Sequence, residues 1–301
     1  MKVLNFGSLN IDYVYAVEHF VRAGETLASQ SLAKNVGGKG TNQSAALAKA
    51  GAEVFHAGKI GGDGLFLSDF LTQCGVRTEL ITVSEEVSGH AIIQVDPSGQ
   101  NCILLYGGAN RTISREQIDA VLEHFTAGDI LLLQNEVSNL AYMIELGARK
   151  GLRIALNPSP ISEELRALPL EKVHWFILNE IEGEALSGKK QPDEILDELL
   201  LRYPESRIVL TLGKQGCAYA DAAQRFTLPA YHVRAVDTTA AGDTFTGYFL
   251  ASVLRGASEK EALSLATAAS ALSVTRPGAA ASIPLLEEVT RFAAENPLLT
   301  D

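Results

Sequence analysis

The residues from Asp237 to Phe245 read Asp-Thr-Thr-Ala-Ala-Gly-Asp-Thr-Phe. Phe245, Phe249 and Val253 recur at helical spacing, so this stretch is predicted to be a loop that enters a helix. The first N–H groups of a helix lack partners and carry the positive end of its dipole, which favours a bound phosphate. A carboxylate at that place, Asp243, is explained if it removes a proton from a hydroxyl that attacks the phosphorus. The alternative is that Asp243 only caps the helix and that the small residues Ala240, Ala241 and Gly242 only allow close packing.

A second glycine-rich segment, from Asn35 to Gln43, also precedes a predicted helix. Its glycines allow a ligand to approach the backbone, and Lys39 and Asn42 add side-chain donors. It is not a Walker A loop, because Lys39 is followed by Gly40 and because Ala33 stands where the first glycine belongs. The alternative interpretation is tight packing of a helix against a strand.

Polar residues follow the first predicted strand, 3–6. If the chain stays extended there, Asn10 and Asp12 point to one face, where an amide and a carboxylate can bind adjacent hydroxyls of a sugar. The alternative is turn chemistry, since Asn and Asp favour loops. Glu136 follows a later apolar strand, 130–133, in the same way.

Asn179 and Glu182 follow the predicted strand 174–178. One interpretation is a capping box at a helix start. The other is a carboxylate that holds Mg²⁺ through its waters near the phosphates of a nucleotide, because Mg²⁺ keeps several waters in proteins.

The elements that position these residues alternate between strand and helix. Strands are predicted at 3–6, 54–60, 130–133, 152–156, 174–178 and 208–212, with an antiparallel pair, 217–220 and 225–228, at the sheet edge. Helices are predicted at 41–50, 65–74, 114–125, 140–150, 243–254, 259–275 and 285–294, and 231–236 is predicted to be extended. The pattern predicts an α/β fold with a doubly wound, mostly parallel sheet, whose carboxyl strand ends bind ligands.

A β-hairpin is inserted between these units, with strands 90–95 and 101–106 around the turn Asp96-Pro97-Ser98-Gly99. Both faces of this hairpin are apolar and must be covered. We therefore expect a small lid sheet, built from about 13–36 and 89–109, that covers the site and pairs with another subunit. The whole chain, 1–301, is expected to be one domain.

Composition limits the function. The 301 residues are 47% hydrophobic and 20% charged, and the formal net charge is −11, which disfavours nucleic acid and anionic membranes as partners. Cys74, Cys102 and Cys217 have no metal-ligand spacing. A cytoplasmic location is expected, since no signal peptide or membrane span is predicted.

Three motifs, Gly37–Gln43, Asn179–Glu182 and Asp237–Phe245, together resemble those of the ribokinase-like (phosphofructokinase B) sugar kinases, and the resemblance extends over essentially the whole chain. The resemblance implies that Asp243 is the catalytic base and that the backbone of Ala240, Ala241, Gly242 and Asp243 forms an anion hole. The implied sugar ligands are Asn10, Asp12, Gly38, Lys39, Asn42, Glu136 and Asp243.

The resemblance also implies ATP, Mg²⁺ and a monovalent cation, expected to be K⁺. The implied nucleotide residues are Asn179, Glu182, Thr211, Gly213, Gly216, Gly242 and Thr267, with Glu182 holding Mg²⁺ through water. The implied monovalent cation site comprises Asp237, Thr239, Ser273, Arg276, Gly278 and Ser282. Thr267 stands where related kinases often place His or Asn near adenine, so it departs from the pattern.

The leading hypothesis is an ATP-dependent kinase of a primary hydroxyl of a small sugar, with ribose expected, that forms a homodimer through the lid sheet. Another furanose, a keto-sugar or a nucleoside is the alternative within the family. A catalytically silent sugar-binding regulator is the alternative of another class, and the presence of Asp243 and Gly242 disfavours it.

Overall fold

The computed structural model describes residues 1–298, and the elements within that range are as follows. The strands are β1 (Val3–Phe6), β2 (Asn10–Ala16), β3 (Ser31–Gly37), β4 (Val54–Gly61), β5 (Arg77–Ser84), β6 (Gly89–Val95), β7 (Asn101–Tyr106), β8 (Ile130–Gln134), β9 (Arg153–Asn157), β10 (Trp175–Asn179), β11 (Arg207–Thr211), β12 (Cys217–Ala220) and β13 (Arg225–Leu228). The helices are α1 (Lys39–Lys49), α2 (Leu65–Gln73), α3 (Arg115–Leu122), α4 (Leu140–Arg149), α5 (Glu180–Ser187), α6 (Pro192–Arg202), α7 (Ala241–Leu254), α8 (Glu259–Ser273) and α9 (Leu286–Glu295).

The larger sheet has the strand order β13-β12-β11-β10-β9-β8-β1-β4-β5, and among its described strands only β12 runs opposite to the others, so its pairings with β11 and β13 are antiparallel. The predicted doubly wound, mostly parallel sheet is therefore confirmed. The chain proceeds outward from β1 to β5 on one side and from β8 to β13 on the other. The strand order thus reverses between β1 and β8, where ligands bind in sheets of this kind.

Helices cover both faces of this sheet. Alternation along β1 sends Val3 to one face and Leu4 and Phe6 to the other. The core on the first side contains α1, α2, α7, α8 and α9, and the core on the second side contains α3, α4, α5 and α6. Helix α7 is buried from Thr244 to Ser252, so it lies at the centre of its layer.

The second sheet has the order β3-β2-β6-β7. The predicted hairpin is present, with β6 antiparallel to β7 and Gly99 N–H donating to the Asp96 carbonyl at 2.9 Å. Every residue of β7 is exposed. We call these four strands the small sheet.

Three local expectations need correction. The sequence reasoning placed no strand at β5, whose half-exposed edge position leaves it without a continuous apolar run, and no helix at α6. The segment 231–236 forms no strand. Its end is held instead by Val236 N–H, which donates to the Val274 carbonyl at 2.7 Å.

None of the helices in residues 1–298 is long and apolar enough to cross a membrane.

Candidate active site

The start of α7 is an open anion site. Ala240 is the N-cap and has a left-handed backbone with φ of 60°, which is unusual for a residue with a Cβ. Thr244 N–H closes the first turn onto the Ala240 carbonyl at 2.8 Å, and Ala241 N–H reaches the Thr238 carbonyl at 3.3 Å. Gly242 N–H and Asp243 N–H have no acceptor among residues 1–298. Two backbone donors at the positive end of the dipole are therefore free for an anion.

The Asp243 carboxylate is held from α1. Asn42 Nδ2 donates to its Oδ2 at 2.9 Å, and Gln43 Nε2 donates to its Oδ1 at 2.8 Å. Asp243 makes no side-chain capping bond to α7, so the structure does not support the interpretation that it is only a helix cap. The carboxylate is instead an acceptor fixed between two helices that begin at the same edge of the sheet.

The close approach of α1 and α7 requires a glycine. A Cβ added at Gly247 would lie 2.4 Å from the Cβ of Ala46 and 2.7 Å from the backbone nitrogen of Leu47. The two helices therefore touch through backbone and small side chains. This spacing is what brings the amides of α1 to the carboxylate of α7.

Lys39 lies among carboxylates. Burial alone would lower the pKa of its ammonium group, but the surrounding acids outweigh burial and raise it. In decreasing order of effect these acids are Asp243, Glu136, Glu182 and Asp12. Lys39 is therefore a charged ammonium that links the groups implied for sugar, base and nucleotide.

Asn10 and Asp12 are both on β2, which stays extended, so they share a face of the small sheet as predicted. The pKa of Asp12 is raised to about 6, because burial and, to a smaller extent, the charge of Glu136 outweigh the opposing charge of Lys39. Asn42 Oδ1 is buried and has no hydrogen-bond partner among residues 1–298. A buried acceptor without a partner indicates a ligand hydroxyl at this place.

Glu136 closes the loop that carries Gly38 and Lys39. Its Oε2 accepts from Lys39 N–H at 3.1 Å and contacts the Ser8 hydroxyl, which also accepts from Gly40 N–H at 3.2 Å. Gly38 has φ of 92°, a conformation that favours glycine. Ser8 and Glu136 follow β1 and β8, so this contact spans the point where the strand order reverses.

A cleft of about 220 Å³ lies in front of α7, and we call it the phosphate cleft. It is lined by Lys39, Asn157, Ser159, Ile177, Leu178, Asn179, Glu182, Thr211, Thr238, Ala240, Ala241, Gly242, Asp243 and Thr246. Asn179 and Glu182 do form a capping box, with Glu182 N–H donating to Asn179 Oδ1 at 2.9 Å and Asn179 N–H to Glu182 Oε2 at 3.0 Å. Glu182 is thus both a cap and a wall of the cleft.

An adjoining cleft of about 520 Å³, the base cleft, shares Thr211, Thr238, Ala241 and Gly242 with the phosphate cleft. It is lined further by Gly213, Lys214, Gly216, Ala230, Tyr231, His232, Val233, Ala235, Phe245, Thr267, Ser270, Ala271 and Val274. Thr267 donates to the Leu263 carbonyl at 2.8 Å, so its hydroxyl hydrogen is engaged within α8. A largely apolar slot beside an anion site suits a purine attached to phosphates.

Asp237 joins two loops. Its Oδ1 accepts from Thr239 N–H and its Oδ2 from Gly278 N–H, each at 2.9 Å. Burial would raise the pKa of Asp237, but these hydrogen bonds outweigh it and hold the pKa below its usual value. Ser273 and Ser282 flank Gly278 in the sequence, and both are buried. Their hydroxyls donate to the carbonyls of Ser270 and Ala279, each at 2.8 Å.

Sequence reasoning did not assign several residues that the structure places at the site. Gln43 contacts Asp243, Asn157 and Ser159 line the phosphate cleft, and Asn110 contacts Asn10. Gln43 stands next to Asn42 in the glycine-rich motif, and Asn157 directly follows the predicted strand 152–156. The sequence positions of Gln43 and Asn157 could therefore have indicated their place at the site, whereas no local sequence pattern indicates Asn110.

The profile described as "pfkB family carbohydrate kinase" matches residues 1–286. The ribokinase of Haemophilus influenzae is 35% identical over 298 residues, covering 95% of this chain and 96% of its own length. The ribokinase of Staphylococcus aureus is 37% identical over 304 residues, with 96% and 99% covered. The deoxyribokinase of Salmonella typhi is 31% identical over 308 residues, with 98% and 100% covered.

Two solved structures are similar over nearly the full chain. The ribokinase of Cryptococcus neoformans in complex with ADP has a TM-score of 0.85 at 34% identity, covering 96% of this chain and 99% of its own. The ribokinase of Arabidopsis thaliana complexed with ribose and ATP has a TM-score of 0.85 at 28% identity, with 97% and 98% covered.

Proposed function

The chain belongs to the pfkB family of carbohydrate kinases, and we propose that it transfers the γ-phosphate of ATP to a primary hydroxyl of ribose, giving ribose 5-phosphate. The observation that carries this proposal is the Asp243 carboxylate next to the free N–H groups of Gly242 and Asp243. A base and an anion site in one place are what in-line phosphoryl transfer to a hydroxyl requires. Two ribokinase relatives at 35% and 37% identity support ribose as the acceptor.

The sugar is held on the side of β2. Asn10 and Asp12 bind adjacent hydroxyls, and the other ligands are Gly38, Lys39, Asn42 and Glu136. The primary hydroxyl meets Asp243, which takes its proton as the oxygen attacks the γ-phosphorus. The bond from the γ-phosphorus to the bridging oxygen breaks, and ADP leaves. The backbone from Ala240 to Asp243 stabilises the charge on the transferring phosphoryl group.

ATP lies along the two clefts. Its adenine occupies the base cleft beside Thr211, Gly213, Gly216 and Thr267, and its phosphates extend past Gly242 into the phosphate cleft. The shared walls of the two clefts support this orientation. The neighbours solved with ADP and with ribose and ATP support the nucleotide.

The residues of the phosphate cleft fit Mg²⁺. Its described lining includes the cation Lys39 against the carboxylates of Glu182 and Asp243, so a polyphosphate there needs additional positive charge. Glu182 already accepts hydrogen bonds from Asn179, which fits an ion held through water better than a direct ligand. When bound, Mg²⁺ offsets negative charge on the phosphate oxygens.

The two loops that Asp237 joins fit a monovalent cation, which we propose to be K⁺. The oxygen donors are the Asp237 carboxylate, the Ser273 and Ser282 hydroxyls and the backbone carbonyls of Thr239, Arg276 and Gly278. Oxygen donors of this kind suit hard cations. A cation here would hold the loop before α7 in place and so support the anion hole.

The small sheet is proposed to act as the lid of the sugar site and as the surface of a homodimer, with the rest of residues 1–301 in the same domain. Its exposed apolar side chains support this, including Leu32, Ile103, Leu104, Leu105 and Tyr106. We propose a cytoplasmic location, where ATP is available and where thiols such as Cys74, Cys102 and Cys217 stay reduced.

A substrate panel tests the proposed function. ADP release is measured with ribose, 2-deoxyribose, keto-sugars, other furanoses and nucleosides, with and without Mg²⁺ and K⁺. Ribose is expected to give the highest kcat/KM. The Salmonella typhi relative makes 2-deoxyribose the main competitor, and a higher kcat/KM with it would replace ribose in the proposal. Sugar binding without turnover of ATP with any acceptor would indicate a silent regulator instead.

A further inference from the structure

We propose that Gln43 and Gln134 are positioning residues, which hold the Asp243 carboxylate through a chain of side-chain amides whose direction is set by a backbone carbonyl. The inference deepens the proposed function, because it rests on Asp243 as the base. Gln43 and Gln134 are fully buried, so neither contacts a substrate.

The chain of hydrogen bonds has one direction throughout. The Gly40 carbonyl can only accept, and it accepts from Asn5 Nδ2 at 2.8 Å, so Asn5 must turn its Oδ1 the other way. Gln134 Nε2 donates to that Oδ1 at 3.0 Å and to Gln43 Oε1 at 2.6 Å. With its oxygen engaged, Gln43 turns its Nε2 towards Asp243 Oδ1 at 2.8 Å.

One polar atom within this series of hydrogen-bonded amides is unpaired. Gln134 Oε1 is buried and has no partner among residues 1–298. The orientation that directs Gln134 Nε2 to both Asn5 Oδ1 and Gln43 Oε1 turns Oε1 away from these two side chains. An unpaired buried acceptor disfavours folding, so its presence indicates a functional demand on the orientation of the amides.

The orientation matters for the reaction. An amide nitrogen facing Asp243 stabilises the ionised carboxylate and fixes its rotation, whereas an amide oxygen there would repel it. Gln43 Nε2 also donates to Asn157 Oδ1 at 3.2 Å, on the wall of the phosphate cleft. The same amide therefore sets the base relative to the phosphate.

Three variants test the proposal: Gln43→Leu, Gln134→Glu and Gln134→Met. Gln43→Leu removes the donor, and kcat is expected to fall about 10- to 100-fold with the Kd for ribose and for ATP unchanged. In Gln134→Glu the ionised side chain only accepts, so the Gln43 amide turns round and kcat falls similarly. In Gln134→Met the connection to the Gly40 carbonyl is broken, but no acceptor competes for the nitrogen of the Gln43 amide and the charge of Asp243 still attracts it, so kcat falls less than in Gln134→Glu.

The pH dependence of kcat in Gln134→Glu distinguishes an effect on the orientation of the Gln43 amide from a loss of protein stability. A protonated carboxyl donates to Gln43 again, so the kcat of this variant relative to wild type is expected to rise between about pH 8 and pH 6, where buried carboxyls titrate. The groups that face this position are Asp243, through Gln43, and His56, through Ser44 and Asn5. Burial lowers the pKa of His56 to about 4, so this imidazole stays neutral over that range.

The proposal would be overturned if all three variants are stable and keep the wild-type kcat. It would also be overturned if kcat falls equally in Gln134→Glu and Gln134→Met and does not recover at low pH. Thermal unfolding shows which variants are folded at the assay temperature. If Gln43→Leu does not fold, the comparison of the two Gln134 variants decides. Asp243→Asn is measured in parallel, since wild-type turnover in that variant would reject the proposed function itself and not only the positioning role.

Discussion

Asn110 Nδ2 donates a hydrogen bond to Asn10 Oδ1 at 2.8 Å. The backbone of Leu9 fixes the direction of this bond, because the Leu9 N–H donates to Asn110 Oδ1 at 3.1 Å and the Leu9 carbonyl accepts from Asn110 Nδ2 at 3.2 Å. The oxygen of Asn10 is therefore engaged, and its Nδ2 is the group left for a ligand. With Asp12 on the same face, the site presents one donor and one acceptor to neighbouring hydroxyls.

Asn110→Asp is expected to weaken sugar binding more than turnover. The introduced carboxylate cannot donate to Asn10, so the Asn10 amide turns its oxygen towards the sugar. Loss of one oriented hydrogen bond is expected to raise the KM for ribose about tenfold with a smaller change in kcat. Asn296→Asp is the matched control, because Asn296 donates to the Phe292 carbonyl near the carboxyl end of the described chain. Equal KM values in both variants would contradict the role of Asn110.

Asp243→Asn is expected to fold and to bind ribose but to lose at least about 100-fold in kcat, because the amide cannot take the proton from the attacking hydroxyl. Steady-state kinetics by ADP release and calorimetric titration with ribose measure the two properties separately. Turnover near the wild-type rate would show that Asp243 is not the base.

Asp12 is expected to make sugar binding depend on pH. Its pKa is raised to about 6, mainly by burial, so the carboxylate that accepts from a hydroxyl forms as the pH rises through that value. The KM for ribose is therefore expected to fall between about pH 5 and pH 7. A KM that stays constant over this range in the wild-type protein would exclude the effect.

Asp12→Asn is expected to stabilise the fold while weakening sugar binding. The pKa of Asp12 lies above its ordinary value of 3.8 in the folded protein, so the folded state holds the proton more tightly. The resulting destabilisation is absent below about pH 4 and complete above about pH 6, where it reaches at most about 3 kcal/mol. Urea unfolding at pH 4 and pH 8 is expected to show a gain in stability for the variant at pH 8 only.

Gly247→Ala is expected to force α1 and α7 apart, because the added Cβ would lie 2.4 Å from the Cβ of Ala46. Overpacking of this kind costs about 1–3 kcal/mol of unfolding free energy, and kcat is expected to fall as the amides of α1 withdraw from Asp243. Gly62→Ala is the control, since its Cβ would meet no atom within 4 Å. Denaturant unfolding and kinetics of both variants make the comparison, and indistinguishable results would show that the contact is not constrained.

The double variant Ile103→Glu with Leu104→Glu is expected to be monomeric. These neighbours point to opposite faces of β7 and are 55% and 68% exposed, so together they place charge on both faces of the small sheet. Light scattering over a range of concentrations is expected to give a dimer for the wild type and half that mass for the variant. Leu201→Glu, at a 79% exposed apolar position on α6, controls for added charge. A wild-type monomer at every concentration would reject the homodimer.

Much of the fold was predictable because its signals are local. Apolar runs such as 130–133 mark buried parallel strands, and the turn from Asp96 to Gly99 marks the hairpin. The start of α7 was predictable for the same reason, since small residues before a helical repeat are a local pattern. The edge strand β5 was not predicted, because three of its four exposed positions, Arg77, Glu79 and Thr82, carry polar residues.

The sequence by itself determined the alternation of strands and helices, the glycine-rich starts of α1 and α7 and the presence of Asp243 at the second of them. Only the tertiary structure decided between a cap and a fixed carboxylate at Asp243, because the amide of Gln43 that holds it is 200 residues away along the chain. That contact depends on the packing of α1 against α7 at Gly247. The direction of the buried amides depends in turn on the Gly40 carbonyl, and no local pattern encodes a relationship between residues so far apart.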